Sequence, residues 1–387
     1  MTHHNSLHRP RKHDHLQEYA AMTVQWLRKN IVLCIAFSAA LLTSCIVPPD
    51  AQYANYFDWK TLTCLFCVLA VVCALKNVKF FTILARKIVD CTGTLRIAVL
   101  ALVYITFIGS MLIANDMALL TFLPLGFFVL SYSKKEEYMA FVFIMQNIAA
   151  NLGGMLTPFG NPQNLYLYTK FQIPTDEFVS IMLLPFLLAI TMITVCCLFI
   201  PKHTLAIRDE CPYRIQPKKT FLYLVLFALS ILIVFRGIPY QVGFLIIAPA
   251  LFFLDKKALR DVDYPLLLTF VCFFIFAGNM ARIPAISQSF SALMEKSPLL
   301  VSILSCQFIS NVPSAILLSQ FTTDYQALLL GVNIGGTGTL IASLASLITF
   351  REYTAHNPKK ALKYLLSFSA YNFAFLIVLT LFTSFLL

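Results

Sequence analysis

Charged side chains are scarce in this sequence, and almost all of them lie outside its apolar segments. Asp, Glu, Lys and Arg make up 12% of the 387 residues and hydrophobic residues 59%, whereas soluble domains are about 25% charged. Most of the apolar stretches approach or exceed the roughly 20 residues that cross a bilayer. A soluble fold is therefore excluded, and we expect an all-α polytopic protein in contact with the lipid bilayer. The stretches are residues 31–47, 61–75, 97–132, 138–168, 178–200, 221–235, 242–254, 264–281, 298–321, 327–350 and 364–387.

These stretches also lack the residues that membrane enzymes need. Intramembrane proteolysis requires two aspartates, a Ser–His pair or a His/Glu metal cluster, and the stretches contain one acid, Asp116, and no histidine. The eleven cysteines form no recognisable framework, and most lie in apolar spans, where thiols behave as small hydrophobes. We therefore expect no enzymatic activity and no cofactor. Five of the seven histidines crowd a basic N-terminal tail, as His3, His4, His8, His13 and His15.

The net charge of +11 follows the positive-inside pattern, so we expect a membrane topology and no nucleic-acid partner. With a cytoplasmic N-terminus, and with residues 97–132 and 298–321 returning to their side of entry, 24 of the 29 Lys and Arg fall on the cytoplasmic side. This places the protein in the plasma membrane with its C-terminus outside. The five basic residues on the outer side are Lys60, Lys170, Arg236, Arg282 and Lys296.

The same topology predicts two inverted repeats, each with a re-entrant hairpin and a broken transmembrane helix. An extra span between the two units turns the second one over. Short segments before each hairpin, residues 78–90 and 283–296, mix charged and apolar residues and predict helices lying in the membrane interface. The predicted divisions are a cytoplasmic tail (1–30), a first repeat (31–200), a cytoplasmic loop (201–219), a linking span (220–241) and a second repeat (242–387).

Two polar interruptions are the most informative part of the sequence. Residues 151–164 read NLGGMLTPFGNPQN, and part of this returns 182 positions later as NIGGTGTLIAS. Such breaks are tolerated at membrane depth only inside protein or along a cavity, and one in each half indicates a transporter binding site. We expect the Gly pairs to adopt φ values that other residues avoid, and the helices to restart near Asn161 or Asn164 and near Ser343. Candidate site residues here are Asn151, Gly153, Gly154, Thr157, Gly160, Asn161, Pro162, Asn164, Asn333, Gly335, Gly336, Thr337, Thr339 and Ser343.

The predicted hairpin tips supply the remaining candidates. An acid at the depth of Asp116 costs at least about 2.5 kcal/mol, so a functional role is the default reading. Its carboxylate would neutralise Na⁺ or accept a proton; alternatively, it caps the second arm of the hairpin. The second tip has no acid and would offer neutral oxygens, which hard cations also accept. The tip candidates are Asn115, Asp116, Ser310, Asn311 and Pro313, with Na⁺ expected at the first four.

These motifs resemble the ion transporter superfamily. Asn115-Asp116 on a hairpin, Gly153-Gly154 through GNPQN, and Ser310-Asn311-x-Pro313 resemble most closely its arsenite permease and Na⁺/H⁺ antiporter branch, with citrate and divalent anion transporters as neighbours. The resemblance implies a scaffold domain and a transport domain, a homodimer, Na⁺ or H⁺ coupling and elevator movement. It also implies one cation near the first tip and break, a second near the other pair, and substrate between the tips.

The tips depart from the carboxylate transporters, which are similar but carry Ser-Asn-Thr at both. Here they read Ala-Asn-Asp and Ser-Asn-Val, so the Thr hydroxyls that would favour di- or tricarboxylates are absent. The sequence therefore predicts a secondary active transporter of a small anion or oxyanion, carboxylate-like or inorganic, coupled to Na⁺ or H⁺. Arsenite efflux, Na⁺/H⁺ antiport and, more remotely, an ion channel remain alternatives.

Overall fold

The chain folds into helices of very different lengths. The computed structural model describes residues 30–204 and 215–387, and these contain no strand. The predicted tail with its five histidines, except for Asn30, and part of the predicted 201–219 loop lie outside the described residues. The helices are α1 (Ile31–Ile46), α2 (Trp59–Asn77), α3 (Phe80–Asp90), α4 (Leu95–Ile113), α5 (Asn115–Tyr132), α6 (Met139–Gly153), α7 (Pro162–Lys170), α8 (Thr175–Leu198), α9 (Pro217–Val234), α10 (Tyr240–Leu254), α11 (Lys256–Arg260), α12 (Tyr264–Arg282), α13 (Pro284–Lys296), α14 (Pro298–Ile309), α15 (Asn311–Leu318), α16 (Tyr325–Ile334), α17 (Leu344–His356) and α18 (Ala361–Ser384).

Eight helical segments in the described part of the chain are long and apolar enough to cross a membrane, which supports a multi-pass protein. Both arms of the first predicted hairpin, α4 and α5, reach this length. The arms of the second, α14 and α15, have 12 and 8 residues and are too short to cross. The eight segments are Trp59–Asn77, Leu95–Ile113, Asn115–Tyr132, Glu136–Leu156, Thr175–Leu198, Pro217–Val234, Tyr264–Arg282 and Pro358–Ser384.

Each of these hairpins reverses at a single residue with an unusual backbone conformation. Ala114 has φ 65° and ψ 152°, and Ser310 has φ 74° and ψ 160°. Positive φ is uncommon for residues other than glycine, and it places a sharp turn between the two arms. The residue that follows in each case is the asparagine that begins the second arm, Asn115 or Asn311. The two tips therefore share a local geometry.

The two predicted breaks are present, and both helices restart where the sequence predicts. α6 ends at Gly153, continues as a single 3₁₀ turn, and resumes as α7 at Pro162. Asn161 occupies the N-cap position of α7 in an extended conformation. α16 ends at Ile334 and α17 begins after Ser343, whose hydroxyl accepts a hydrogen bond from the Ala345 amide at 3.2 Å.

The prediction that the glycine pairs adopt unusual φ values is wrong. Gly153, Gly154 and Gly335 have φ of −67°, −63° and −64°, which any residue can adopt. Close packing excludes a side chain instead. A Cβ on Gly153 would overlap the Phe107 carbonyl oxygen, and one on Gly154 would overlap the Asn161 side-chain oxygen. Within the described residues, the one glycine with positive φ is Gly338, at 114°.

The packing of the helices brings the breaks and tips to one place. α6 packs against α4 and α5, α16 packs against α14 and α15, and α17 crosses over to α5 and α6. The short helices α7 and α15, which both begin at the polar centre, pack against each other. The two segments predicted as interfacial arms are helical, as α3 and α13; the buried residues of α3 include Phe81, Ala85 and Val89, which share one face.

Candidate functional site

The structure brings both hairpin tips and both breaks into one buried polar cluster. Asn115, Asn151, Asn161, Asn311 and Asn333 are each at most 4% exposed. Burying so many amides is costly unless each finds hydrogen-bond partners. The contacts of these amides therefore describe how the site is built.

Asn151, at the end of α6, joins the first tip to the second break. Its Oδ1 accepts a hydrogen bond from Asn115 Nδ2 at 3.2 Å and another from the Ser343 hydroxyl at 2.7 Å. Its backbone carbonyl accepts from Asn161 Nδ2 at 3.4 Å. One residue thus contacts three of the predicted site residues, which come from separate parts of the chain.

The two breaks also contact each other directly through amides. Asn333 Nδ2 donates to Asn164 Oδ1 at 2.6 Å and to the Leu329 carbonyl at 2.8 Å. Asn333 Oδ1 accepts from Asn161 Nδ2 at 3.4 Å. The first half of the chain and the second therefore form one hydrogen-bonded unit at this point.

Other amides bind the carbonyls that the breaks expose. Asn164 Nδ2 lies 3.2–3.3 Å from the carbonyl oxygens of Gly154, Met155 and Thr157. In the second break, Gln307 Nε2 donates to the carbonyls of Gly335 and Thr337 at 2.9 and 3.1 Å. The carbonyls exposed at the two breaks thus already accept hydrogen bonds from side chains, and the Thr157 carbonyl also accepts one from the Gly160 amide at 3.2 Å.

Two of the three predicted threonines, Thr157 and Thr339, hold the hairpins against the breaks. The Thr157 hydroxyl donates to the Met111 carbonyl at 2.8 Å, and the Thr339 hydroxyl donates to the Gln307 carbonyl at 3.0 Å. Met111 and Gln307 each lie four residues before the tip asparagine of their hairpin. The two hydroxyls therefore occupy matching positions and have matching roles.

The remaining predicted residues shape the backbone. Gly160 approaches the Gly154 carbonyl so closely that a Cβ would overlap it, and a Cβ on Gly336 would lie 3.1 Å from Asn311 Nδ2. Pro162 and Pro313 lie in the first turns of α7 and α15, where a missing N–H costs nothing. The Thr337 hydroxyl donates to the Ile334 carbonyl at 2.7 Å.

At the hairpin tips, the asparagine side chains accept hydrogen bonds from backbone amides, whereas the Asp116 side chain does not. Asn115 Oδ1 accepts from the Asp116 amide at 2.9 Å, and Asn311 Oδ1 accepts from the Val312 amide at 2.9 Å. The backbone amide of Asn311 donates to the Ala342 carbonyl at 3.0 Å, and the Ser310 hydroxyl donates to the same carbonyl at 3.3 Å. The structure shows no side-chain cap by Asp116 at the start of α5, so the capping alternative for this acid is wrong.

Five buried side-chain atoms close to the breaks and the first tip have no hydrogen-bond partner within the described part of the chain. Three are oxygens that accept hydrogen bonds or bind cations, on Asp116, Asn161 and Gln163. Two can donate, the Asn151 amide nitrogen and the Ser346 hydroxyl. Buried polar atoms without partners are rare in native proteins and call for an explanation. The cluster can bind a small cation through the oxygens and an anionic or polar group through the donors.

The sequence analysis missed several residues of this cluster. Gln163 lies two residues after Asn161, Ser346 lies three residues after Ser343, and Gln307 lies inside the first arm of the second hairpin. In a neighbouring network, Asn147 Nδ2 donates to Asn372 Oδ1 at 3.4 Å, and the Thr349 hydroxyl donates to Asn147 Oδ1 at 3.3 Å. A search of the apolar stretches for amides, and not only for ionisable groups, would have found the Gln and Asn residues.

The chain matches known membrane proteins over most of its length. The family model CitMHS, described as a citrate transporter, matches residues 19–326. An uncharacterized transporter of Methanocaldococcus jannaschii, MJ0456, is 32% identical over 323 residues, which cover 83% of this chain and 88% of that protein. The inner membrane protein YbiR of Escherichia coli K12 is 30% identical over 304 residues, which cover 76% of this chain and 80% of that protein.

Proposed function

Since the chain belongs to the citrate transporter family CitMHS, we propose that it is a secondary active transporter for a small carboxylate-like anion or oxyanion. Transport is coupled to Na⁺ or H⁺, either in the same direction as the ion or in exchange for it. The observation that carries this proposal is that residues of both breaks and of the first tip carry buried oxygens and buried donors without hydrogen-bond partners in the described part of the chain. Oxygens of Asp116 and Asn161 would bind the coupling ion, and the Asn151 amide with the N-terminal ends of α7 and α17 would bind the anion.

The burial of this cluster favours alternating access over a channel. Asn151, Asn161, Asn333 and Ser343 are each at most 2% exposed. A substrate reaches them only if the surrounding helices separate, which is the behaviour of a transporter whose site opens to one side at a time. A channel needs a continuous polar path instead.

The proposed architecture is an inverted repeat with elevator movement. Three paired features support it: the matching φ and ψ of Ala114 and Ser310, the matching hydroxyl contacts of Thr157 and Thr339, and helices that restart after both breaks. In this proposal the hairpins and the broken helices form the transport domain. The remaining helices form a scaffold through which two copies of the chain pair as a homodimer.

Asp116 favours a second candidate function, Na⁺/H⁺ antiport. A carboxylate is the group that can exchange a proton for Na⁺, and Asp116 is the one acid within the apolar stretches. An antiporter would move the two cations without an anion. Arsenite efflux is a third possibility that the motifs left open, and it would need no Na⁺ gradient.

Transport by purified protein in liposomes tests these functions against one another. A thermal-shift screen with Na⁺, citrate, succinate, sulfate and arsenite first identifies what stabilises the fold. Liposomes are then given a Na⁺ or a proton gradient, and uptake of each labelled anion is measured. We expect saturable accumulation of a carboxylate or oxyanion against its own gradient. Proton movement driven by Na⁺ with no anion present would establish the antiporter instead, and conduction without saturation would establish a channel.

A further inference from the structure

A polar cavity lies where α7 and α15 end, away from the buried cluster. Its volume is about 270 Å³, and Lys170 and Gln320 are among its lining residues. Lys170 ends α7, and Gln320 lies two residues beyond the end of α15. These helices have nine and eight residues, so at 1.5 Å per residue each is about 12–14 Å long. Since both begin in the buried cluster, the cavity lies about 12 Å from it, towards the face that the charge pattern predicts to be extracellular.

The wall opposite α7 and α15 comes from other helices. Tyr56, Gly278 and Arg282 line the cavity from the 3₁₀ helix Ala51–Tyr56 and from α12. The cavity therefore lies between the elements that carry the buried cluster and elements assigned above to the scaffold. Since α12 packs against α15, these two helices would have to separate to connect the cavity to the cluster.

Two cationic side chains line the cavity, and one of them is paired with an acid. Lys170 Nζ donates to Gln320 Oε1 at 3.4 Å and has no acidic partner in the described residues. Arg282 forms a two-pronged ion pair with Asp50, at 3.1 and 2.7 Å, and also donates to the Tyr56 hydroxyl at 3.0 Å. The Arg282 guanidinium holds the pKa of the Asp50 carboxyl below its usual value, so this pair stays fully charged and balanced near neutral pH. Lys170 is therefore the cation without an ion-pair partner among the described residues; burial lowers its pKa, and the charge of Asp58 partly offsets this.

The lining also contains three amides that can bind a carboxylate, on Gln52, Asn55 and Gln320, beside the apolar residues Phe274, Gly278 and Ala281. Among the described residues, no Asp or Glu lines the cavity. At about 30 Å³ for each water molecule, the volume holds about nine waters, or a small carboxylate with part of its hydration shell. Two of the five basic residues predicted on the outer side, Lys170 and Arg282, line this single cavity.

We propose that this cavity is an entry vestibule that attracts a multiply charged carboxylate and holds it before it reaches the buried cluster. The inference rests on the proposed anion transport and adds a second site to it. The apolar stretches contain no Lys or Arg, so long-range attraction of an anion has to come from charges at the rim. A positive cleft raises the local concentration of anions and the rate of their association, and salt weakens both effects. Lys170 supplies this attraction, and the amides form hydrogen bonds with the anion in place of those it loses with water.

Transport kinetics with a Lys170→Gln variant test the vestibule. With citrate as the probe, we expect a rise in KM of about tenfold at low ionic strength, a nearly unchanged kcat, and a smaller difference at high salt. The matched control is Lys296→Gln, which removes an exposed lysine on the same predicted face outside the cavity. Equal KM values for Lys170→Gln and wild type at low salt, or equal effects of both substitutions, would overturn the inference.

A labelling experiment keeps this test independent of transport. Asn55 is exposed in the cavity, so an Asn55→Cys variant is labelled with an anionic and with a cationic methanethiosulfonate reagent, and the rates are compared. Adding Lys170→Gln should lower the anionic-to-cationic rate ratio by about tenfold, because one nearby unit charge is removed. The wild-type protein corrects for the exposed Cys45 and Cys91. An unchanged ratio would refute the vestibule even if citrate is transported, whereas a lowered ratio without citrate uptake would contradict only the proposed function.

Discussion

Asp116 combines two properties that set it apart from every other acid in the chain. It lies within an apolar stretch, and one of its carboxylate oxygens is buried without a hydrogen-bond partner in the described residues. Structural acids in this protein behave differently: Asp58, Asp255, Asp263 and Asp324 all accept hydrogen bonds from backbone amides at helix starts. Asp116 therefore contributes little to the local fold and is available for a ligand.

Replacing Asp116 by Asn should remove ion coupling while leaving the protein folded. The amide keeps the shape of the side chain but cannot carry the charge that binds Na⁺ or the site that accepts a proton. We expect substrate uptake in liposomes to lose its dependence on the ion gradient, with a melting temperature close to that of wild type. Asp90→Asn, at an exposed acid at the end of α3, is the control. Unaltered Na⁺ and pH dependence in the Asp116 variant would show that the acid is not the coupling group.

At Gly153, close packing excludes a side chain, whereas the backbone conformation would allow one. Its φ of −67° suits alanine, but a Cβ would overlap the Phe107 carbonyl oxygen and lie 2.6 Å from the Ser110 hydroxyl. Gly153→Ala should therefore destabilise the fold by about 1–3 kcal/mol through overpacking. Gly93→Ala is the matched control because no atom lies within 4 Å of its added methyl group. Melting curves in detergent compare the two; a Gly153 variant as stable as the Gly93 variant would mean that α4 moves aside without cost.

At the scale of helices, the sequence predicted where the elements break but not how the breaks are held. Proline and paired glycines interrupt the apolar pattern visibly, and N-cap residues mark the restart, so Asn161 and Ser343 were placed correctly. Hydrogen bonds between Asn161 and Asn333, or between Gln307 and Gly335, join residues far apart in the chain. No local pattern encodes such partners, because they depend on which helices pack together. The close approach of Gly153 to Phe107 also depends on which helices pack together. The local sequence does not show it, and the glycine pair was therefore interpreted as a need for unusual φ.

Substitutions at the second hairpin tip test whether Asn311 stabilises the helix or binds a ligand. Asn311 Oδ1 accepts from the Val312 amide at 2.9 Å. Asn311→Ala leaves that amide without a partner, which costs about 1–3 kcal/mol when buried. Asn311→Asp keeps the hydrogen-bond acceptor and adds a charge. It should therefore preserve stability and shift the dependence of transport on cation concentration.

The two Asn311 variants are scored together, by melting temperature and by apparent substrate affinity in liposomes. If the tip oxygen also binds the ligand, the Ala variant should lose affinity even at temperatures where it remains folded. If the Asp variant transports like wild type and the Ala variant is only less stable, the oxygen serves the helix alone. Normal affinity in both would assign the second tip to the scaffold.

At the scale of the whole molecule, the vestibule separates two groups of helices. On one side α7 and α15 lead to the buried cluster; on the other, α12 and the 3₁₀ helix Ala51–Tyr56 are joined by the contacts of Arg282. Elevator movement requires these groups to slide past each other. Membership of a transporter family and a helical, multi-pass chain followed from composition and motifs, whereas the cleft between the groups depends on tertiary packing.

A cross-link across the vestibule should stop transport if the two groups move. A double variant with Asn55→Cys and Gln320→Cys places one thiol on each side of the cavity. We expect a short bifunctional thiol reagent to abolish uptake in this variant and to leave each single variant active. Cleavage of the linker should restore uptake. Full activity in the cross-linked protein would show that the cleft does not change width during transport.

The contact between the two breaks also has a consequence for how the protein is made. Asn161 and Asn333 are 172 residues apart in the chain, and ribosomes add about 5–20 residues per second, so about 10–30 s separate their synthesis. Throughout that interval Asn161 and Asn164 lack the hydrogen bonds that they form with Asn333 in the finished molecule, in surroundings that penalise unsatisfied polar groups. The nascent first half must therefore stay sheltered by water or by the insertion machinery until the second half arrives. The buried cluster that serves the mature protein thus also makes completion of the chain a condition for a stable first half.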